Sequence, residues 1–296
     1  MRSSNPFMSS LAQSEGSAQG RQGQSAAYQQ GYQSGGEQWG QQGQQTQQQP
    51  GYQQSPNYGA QTGSSDRPMT IDDVVTKTGI TLAVIVVMAA VNFMIGMSNE
   101  SLAMTLTFVG AIGGLVAVLV SAFGKKYGSP VVTLVYAAFE GLFVGGFSFM
   151  FTSVEFSGGA NAGAMIFQAV LGTIGVFAGM LIVYKTGAIR VTPKFTKMLL
   201  GAMVGVLVLV LGNFVYAMIT GENSMLRDGG PLAIIFSLVC IGLAAMSFLA
   251  DFDQADKMIR AGAPSRYSWG VALGLAVTLV WLYTEILRLL SYFNRD

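Results

Sequence analysis

PLAIIFSLVCIGLAAMSFLA, residues 231–250, is a run of twenty residues with no charge in it. An α-helix rises about 1.5 Å per residue, so the run matches a hydrocarbon layer about 30 Å thick. It then turns abruptly acidic, as DFDQADKMI over 251–259. Six more runs of similar length and character occur at approximately 79–97, 102–123, 130–151, 164–184, 197–219 and 268–292. Backbone groups in lipid must bond to one another, which runs of this length do as helices. The expected fold is therefore all-α: a polytopic membrane protein, a seven-transmembrane helix bundle, with linkers too short for an inserted soluble domain.

The composition agrees. The chain is 51% hydrophobic and 10% charged, against about 25% charged in soluble domains. A net charge of +1 argues against nucleic acid as a partner. With no histidine, His-containing triads and His-based metal sites are excluded, and the lone Cys240 has no disulfide partner. No enzyme and no bound cofactor are expected. No cleavable signal peptide is visible, and the first apolar run is read as a signal anchor.

Residues 1–67 form a tail rich in Gln, Gly, Ser and Tyr, as in EQWGQQGQQTQQQPGYQQ. It lacks the aliphatic residues that would offset the entropy of ordering and is expected to be disordered and cytoplasmic. The transmembrane domain takes 68–296. It opens on MTIDDVVTKTG, where Thr70 and Asp73 have capping-box spacing.

Basic residues set the expected orientation. Lys77, Lys125, Lys126, Lys185, Arg190, Lys194, Lys197, Lys257, Arg260 and Arg266 fall on the side of the tail; Arg227, Arg288 and Arg295 fall opposite. This asymmetry places the tail in the cytoplasm and the C-terminus outside a cell membrane. Acids on the outer side are Glu100, Glu155, Glu222 and Asp228. GxxxG spacings at Gly110/Gly114, Gly141/Gly145, Gly175/Gly179, Gly201/Gly205 and Gly270/Gly274 predict close helix packing.

A charge inside a bilayer is costly, so each intramembrane acid calls for a partner or a purpose. Asp253 has Lys257 four residues on and Asp256 has Arg260, the favourable order for ion pairs on a helix. Asp251 has no cation at such a spacing and is the acid nearest the lipid. Glu140, in YAAFEGLFVGGFSF, falls mid-span and must face the bundle interior. Glu285, in WLYTEILRLL, has Arg288 three residues on and reads as a snorkelling ion pair. Asn92, Gln168 and Asn213 are expected to bond between helices.

AAMSFLADFDQADKMI and ALGLAVTLVWLYTEILRLL in the last two runs, with YAAFEGLFVGGFSFMF and QAVLGTIGVFAG before them, resemble the Bax inhibitor family of seven-helix membrane proteins over roughly 70–292. MRSSNPF and MTIDDVV look like a bacterial, actinobacterial branch. The resemblance implies a central last helix wrapped by the other six. It also implies a pH-sensitive calcium leak controlled by one aspartate on the sixth helix and one on the seventh. The family's Asp-x-x-Gln falls on Asp251 and Gln254, which makes Asp251 the expected pH sensor and transient calcium ligand. Thr278 stands where the second aspartate belongs, and it cannot share a proton as a carboxylate would. Seven residues on, Glu285 projects from the same face of the helix. The expected ion path thus runs past Asp251, Glu140 and Glu285, with Ca²⁺ as the permeant ion. Family members latch the sixth-helix aspartate with a basic residue near the second turn, for which Lys125 and Lys126 are the candidates. The lipid bilayer is the one certain partner. The alternative reading is a non-conducting regulator that binds a membrane protease or stress-response machinery.

Overall fold

The computed structural model describes residues 67–152, 162–220, 226 and 228–294. The tail read over 1–67 lies, but for Arg67, outside the described residues, as do Glu155, Glu222, Arg227 and Arg295. Seven helices are long and apolar enough to cross a membrane: α1 (Ile71–Ser98), α2 (Glu100–Phe123), α3 (Pro130–Met150), α4 (Ala162–Thr186), α5 (Pro193–Thr220), α6 (Pro231–Arg260) and α7 (Ser268–Phe293).

The helix ends follow local chemistry. Thr70 and Asp73 form the anticipated capping box at the start of α1. Asn99 closes α1 and caps α2 in a single residue, its Oδ1 accepting from the Leu102 amide at 3.0 Å. The helices α3, α5 and α6 each begin at a proline, whose missing amide costs nothing in the first turn. The acidic stretch after residue 250 does not end its helix. The apolar run and DFDQADKMI form one 30-residue helix, α6, longer than the hydrocarbon layer requires.

The last helix is the most buried of the seven. It packs against α1, α3, α4 and α6, while α2 lies mainly on α3 and α1, and α5 mainly on α6. The wrapping is thus by four helices, with two outside them. One core cluster joins α6 and α7 through Phe248, Phe252, Leu275 and Leu282, with Phe177 of α4 edge-on to Phe248 at 5.3 Å. A second joins α1, α3 and α7 through Ile85, Tyr136, Ala137 and Ala276.

The glycine pairs separate into three kinds. A side chain on Gly110 or Gly141 would collide with the backbone of a neighbouring helix, at Phe139 and Ile85 respectively. These are close-packing positions, as expected. Around Gly175, Gly179, Gly201 and Gly205 nothing lies within 4 Å. Gly270 faces the Tyr127 ring, not a helix, because the turn before α3 leans over the start of α7. Asn92 bonds across helices as expected, donating to the Leu142 carbonyl at 2.6 Å and to Thr107 at 3.1 Å. Gln168 lies exposed on α4, which instead turns Met165 and Ala169 inward.

The chain entering α1 is tied to the α6–α7 turn. Pro68 forms an antiparallel bridge with Pro264, and the Met69 and Ser265 amides donate to the Ala263 and Arg67 carbonyls. Arg67 pairs with Asp73 at 2.6 Å. Lys77 donates to the Ser265 carbonyl and the Ser268 hydroxyl, both at 2.7 Å, and its ammonium lies 5.6 Å from the Trp269 ring centre.

Candidate functional site

Asp251 is carried by α6 on the face that meets α7. Its Oδ2 accepts a hydrogen bond from the Thr278 hydroxyl at 2.8 Å. Thr278 is buried and also lies 3.2 Å from the Gly274 carbonyl one turn back. A Cβ built on Gly274 would stand 4.0 Å from Asp251 Oδ1, an ordinary contact distance. No cation pairs with Asp251 among the described residues. The other two acids of the stretch do pair: Asp253 with Lys257, and Asp256 with Arg260 at 2.9 Å. Helical spacing had separated the three acids in this way, and packing supplies what spacing lacked, a hydroxyl from the next helix.

Asp251 lines a cleft of about 140 Å³ together with Ser121, Tyr127, Gln254, Gly270 and Gly274. Tyr127, from the turn between α2 and α3, packs its ring into the space left by Gly270. Its hydroxyl accepts a 3.3 Å hydrogen bond from Gln254 Nε2. The adjacent Lys125 and Lys126 are exposed and form no ion pair with a described residue. Lys125 takes a positive φ of 54°, and Gly128, at φ 86°, lets the turn fold back against Tyr267. The residue that this turn brings to the cleft is therefore Tyr127. Neither charge nor helical spacing singles it out in the sequence.

Glu140 and Glu285 stand apart from Asp251. Both line a second, larger cleft of about 550 Å³ between α3, α5, α6 and α7. Glu285 pairs with Arg288 at 2.7 Å, and both side chains are nearly buried, at 7% and 12% exposure. The pair is thus nearly enclosed by the bundle. The Ser237 hydroxyl lies 3.4 Å from Glu285, and the Arg288 guanidinium lies 5.8 Å from the Phe147 ring centre. Glu140 lines this cleft and also meets α2, one of its oxygens, Oε2, lying 2.7 Å from where a Cβ on Gly114 would be. Gly114 thus makes room for a carboxylate.

Along α7 the two linings follow one another: Leu273 and Gly274 belong to the first cleft, and Val277 and Val280 to the second. Asp251 lines the first cleft only, and Thr278 lines neither. Among the described residues, no three metal-capable side chains stand together.

Comparison with curated proteins finds no match. The family described as Bax inhibitor 1 like matches residues 5–295, nearly the whole chain, and the protein belongs to that family.

Proposed function

We propose that this protein is a pH-modulated leak for calcium, or for cations more broadly, across the cell membrane. In this reading the tail and the basic helix ends are cytoplasmic. The observation that carries it is the placement of Asp251: a carboxylate that lines a cleft between helices, held by one hydroxyl and by no cation among the described residues.

An intramembrane carboxylate lining a cleft marks an ion pathway by default. Asp251 lines one cleft, Glu140 and Glu285 the other, and no three such acids stand together among the described residues, so a passing cation completes its shell with water and carbonyl oxygens. Weak, sequential sites suit conduction, because an ion must leave as readily as it enters. The ionised carboxylate accepts the Thr278 hydrogen bond and attracts a cation. Its protonation removes the charge and weakens the bond that joins α6 to α7. One acid and one hydroxyl replace a pair of acids, so a single protonation governs the response. The chain acts without catalysis and without a resident cofactor.

Flux from purified protein in liposomes tests the reading. A calcium gradient should discharge at a rate that changes with pH across about pH 5 to 8, as a leak governed by one carboxylate requires. That dependence should vanish in Asp251→Asn. Absence of flux at every pH would leave the non-conducting regulator, acting on a membrane protease or stress-response machinery, as the better account. The clasp between the root of the tail and the α6–α7 turn favours that second reading to a degree, since it joins any tail-bound partner to the helices that carry Asp251 and Thr278.

A further inference from the structure

The larger cleft has the make-up of a small-molecule site. Its volume of about 550 Å³ falls within the roughly 300–1,000 Å³ of ligand pockets. Its wall is apolar except for Glu140, Thr284, Glu285 and Arg288. One wall is α5, which buries Leu199 but is otherwise exposed or half-exposed where its side chains are described. The cleft is thus bounded by the helix least tied to the bundle.

Its polar groups are not all partnered. Glu285 and Arg288 neutralise each other at 2.7 Å. Glu140 has neither a hydrogen bond nor an ion pair among the described residues, although it sits halfway along α3. A carboxylate this deep in lipid is stabilised by a cation that arrives with its own apolar cover. Lipid headgroups lie at the surface, far from mid-span, so the ligand is a compact molecule that partitions into the membrane.

We propose that this cleft binds a monocationic amphiphile, an organic ammonium with an apolar body, whose nitrogen pairs with Glu140 while its body lies against α5 and Trp281. The ligand fills the outer cleft and leaves the Asp251 cleft untouched. Binding does not depend on whether the chain conducts, so the test reads occupancy and not flux.

The full-length protein is placed in lipid nanodiscs with Trp39 and Trp269 changed to Phe, which leaves Trp281 as the sole indole. It is titrated with a nitroxide-bearing alkylammonium and, separately, with the neutral alcohol of the same chain. The ammonium should quench Trp281 saturably and the alcohol only in proportion to its membrane concentration. Glu140→Gln should weaken the saturable phase by about tenfold or more, the loss of one desolvated ion pair. Leu207→Trp in a Trp281→Phe background, read by the new indole, fills the cleft without touching the carboxylate and should also abolish saturation. Equal quenching by the two compounds overturns the proposal, as does a saturable phase that survives both substitutions.

Discussion

The Thr278 hydroxyl donates to the Asp251 carboxylate across 2.8 Å, joining α6 and α7 beside the smaller cleft, which Asp251 lines. This single bond links the one unpaired acid of α6 to the most buried helix of the bundle. A hydroxyl stabilises the ionised form by donating to it but cannot hold a proton for it. In the proposed leak the two residues are therefore unequal partners: Asp251 is the group that gains and loses the proton, and Thr278 is the donor to its ionised form.

Substitutions at the two positions should thus have different signatures. Asp251→Asn should leave flux, if present, insensitive to pH. Thr278→Val keeps the shape and removes the donor. A hydrogen bond to a charged group contributes about 1.5–3 kcal/mol. Its loss disfavours the ionised carboxylate, so the pH of half-response should rise by about one unit or more. Calcium flux in liposomes measured across pH checks both. A Thr278→Val response at or below the unsubstituted pH would show that the hydroxyl does not act on the ionised form.

Much of this arrangement was legible in the sequence. The seven spans followed from run length, and the isolation of Asp251 followed from its lacking a cation three or four residues away. The Thr278 contact was half legible: the family resemblance put Thr278 where a second aspartate belongs, while the bond itself depends on how α6 and α7 pack, which spacing along one helix does not give. The separation of Glu140 from Asp251 was not legible, because helical periodicity gives a residue's face and not the depth at which helices meet. Tyr127 was missed altogether. It reaches the cleft through a turn with two left-handed residues, Lys125 and Gly128, and only the latter is of a type that announces such a turn.

The Glu285–Arg288 pair predicts a non-additive stability series. Both side chains are nearly buried, so removing either leaves an uncompensated charge. Arg288→Met or Glu285→Gln alone should cost about 3–5 kcal/mol, and the double substitution much less than the sum. Thermal unfolding of the solubilised protein measures the cycle. Additive losses would mean that the pair is solvated and contributes little.

The glycines offer a contrast within one motif. Gly110→Ala and Gly141→Ala would place a methyl 2.6 Å from the Phe139 and Ile85 carbonyl oxygens. Each should destabilise by about 1–3 kcal/mol, as overpacking does. Gly201→Ala and Gly205→Ala meet nothing within 4 Å and should stay within about 0.5 kcal/mol of the parent. If the second pair proves as damaging as the first, the outer face of α5 is covered by something in the membrane.

Lys77 predicts a local effect at a distance in sequence. Its ammonium bonds to Ser265 and Ser268, so Lys77→Met removes two hydrogen bonds from the α6–α7 turn while sparing the bulk of the side chain. Hydrogen exchange across 261–267 should accelerate by about tenfold, given about 1.5 kcal/mol for a bond to a charged group. Exchange within α3 should not change. Uniform acceleration across the bundle would indicate global loosening and not a local tie.

Tyr127 provides the sharpest test of the smaller cleft, because its ring and its hydroxyl have separable roles. The ring occupies the space over Gly270, where a Cβ would lie 2.5 Å from Cζ, while the hydroxyl accepts from Gln254 at 3.3 Å. Tyr127→Phe keeps the plug and loses the bond; Tyr127→Ala loses both. With Cys240 changed to Ser, a Ser121→Cys substitution gives the chain a single thiol lining the cleft. A water-soluble maleimide should label that thiol slowly in the parent and little faster in Tyr127→Phe, where a solvated neutral bond of about 1 kcal/mol is lost. In Tyr127→Ala, labelling should rise by about tenfold or more, since an entire aromatic side chain of packing is gone. Should Tyr127→Phe open the cleft as far as Tyr127→Ala does, the hydrogen bond to Gln254, and not the ring, would be what closes it.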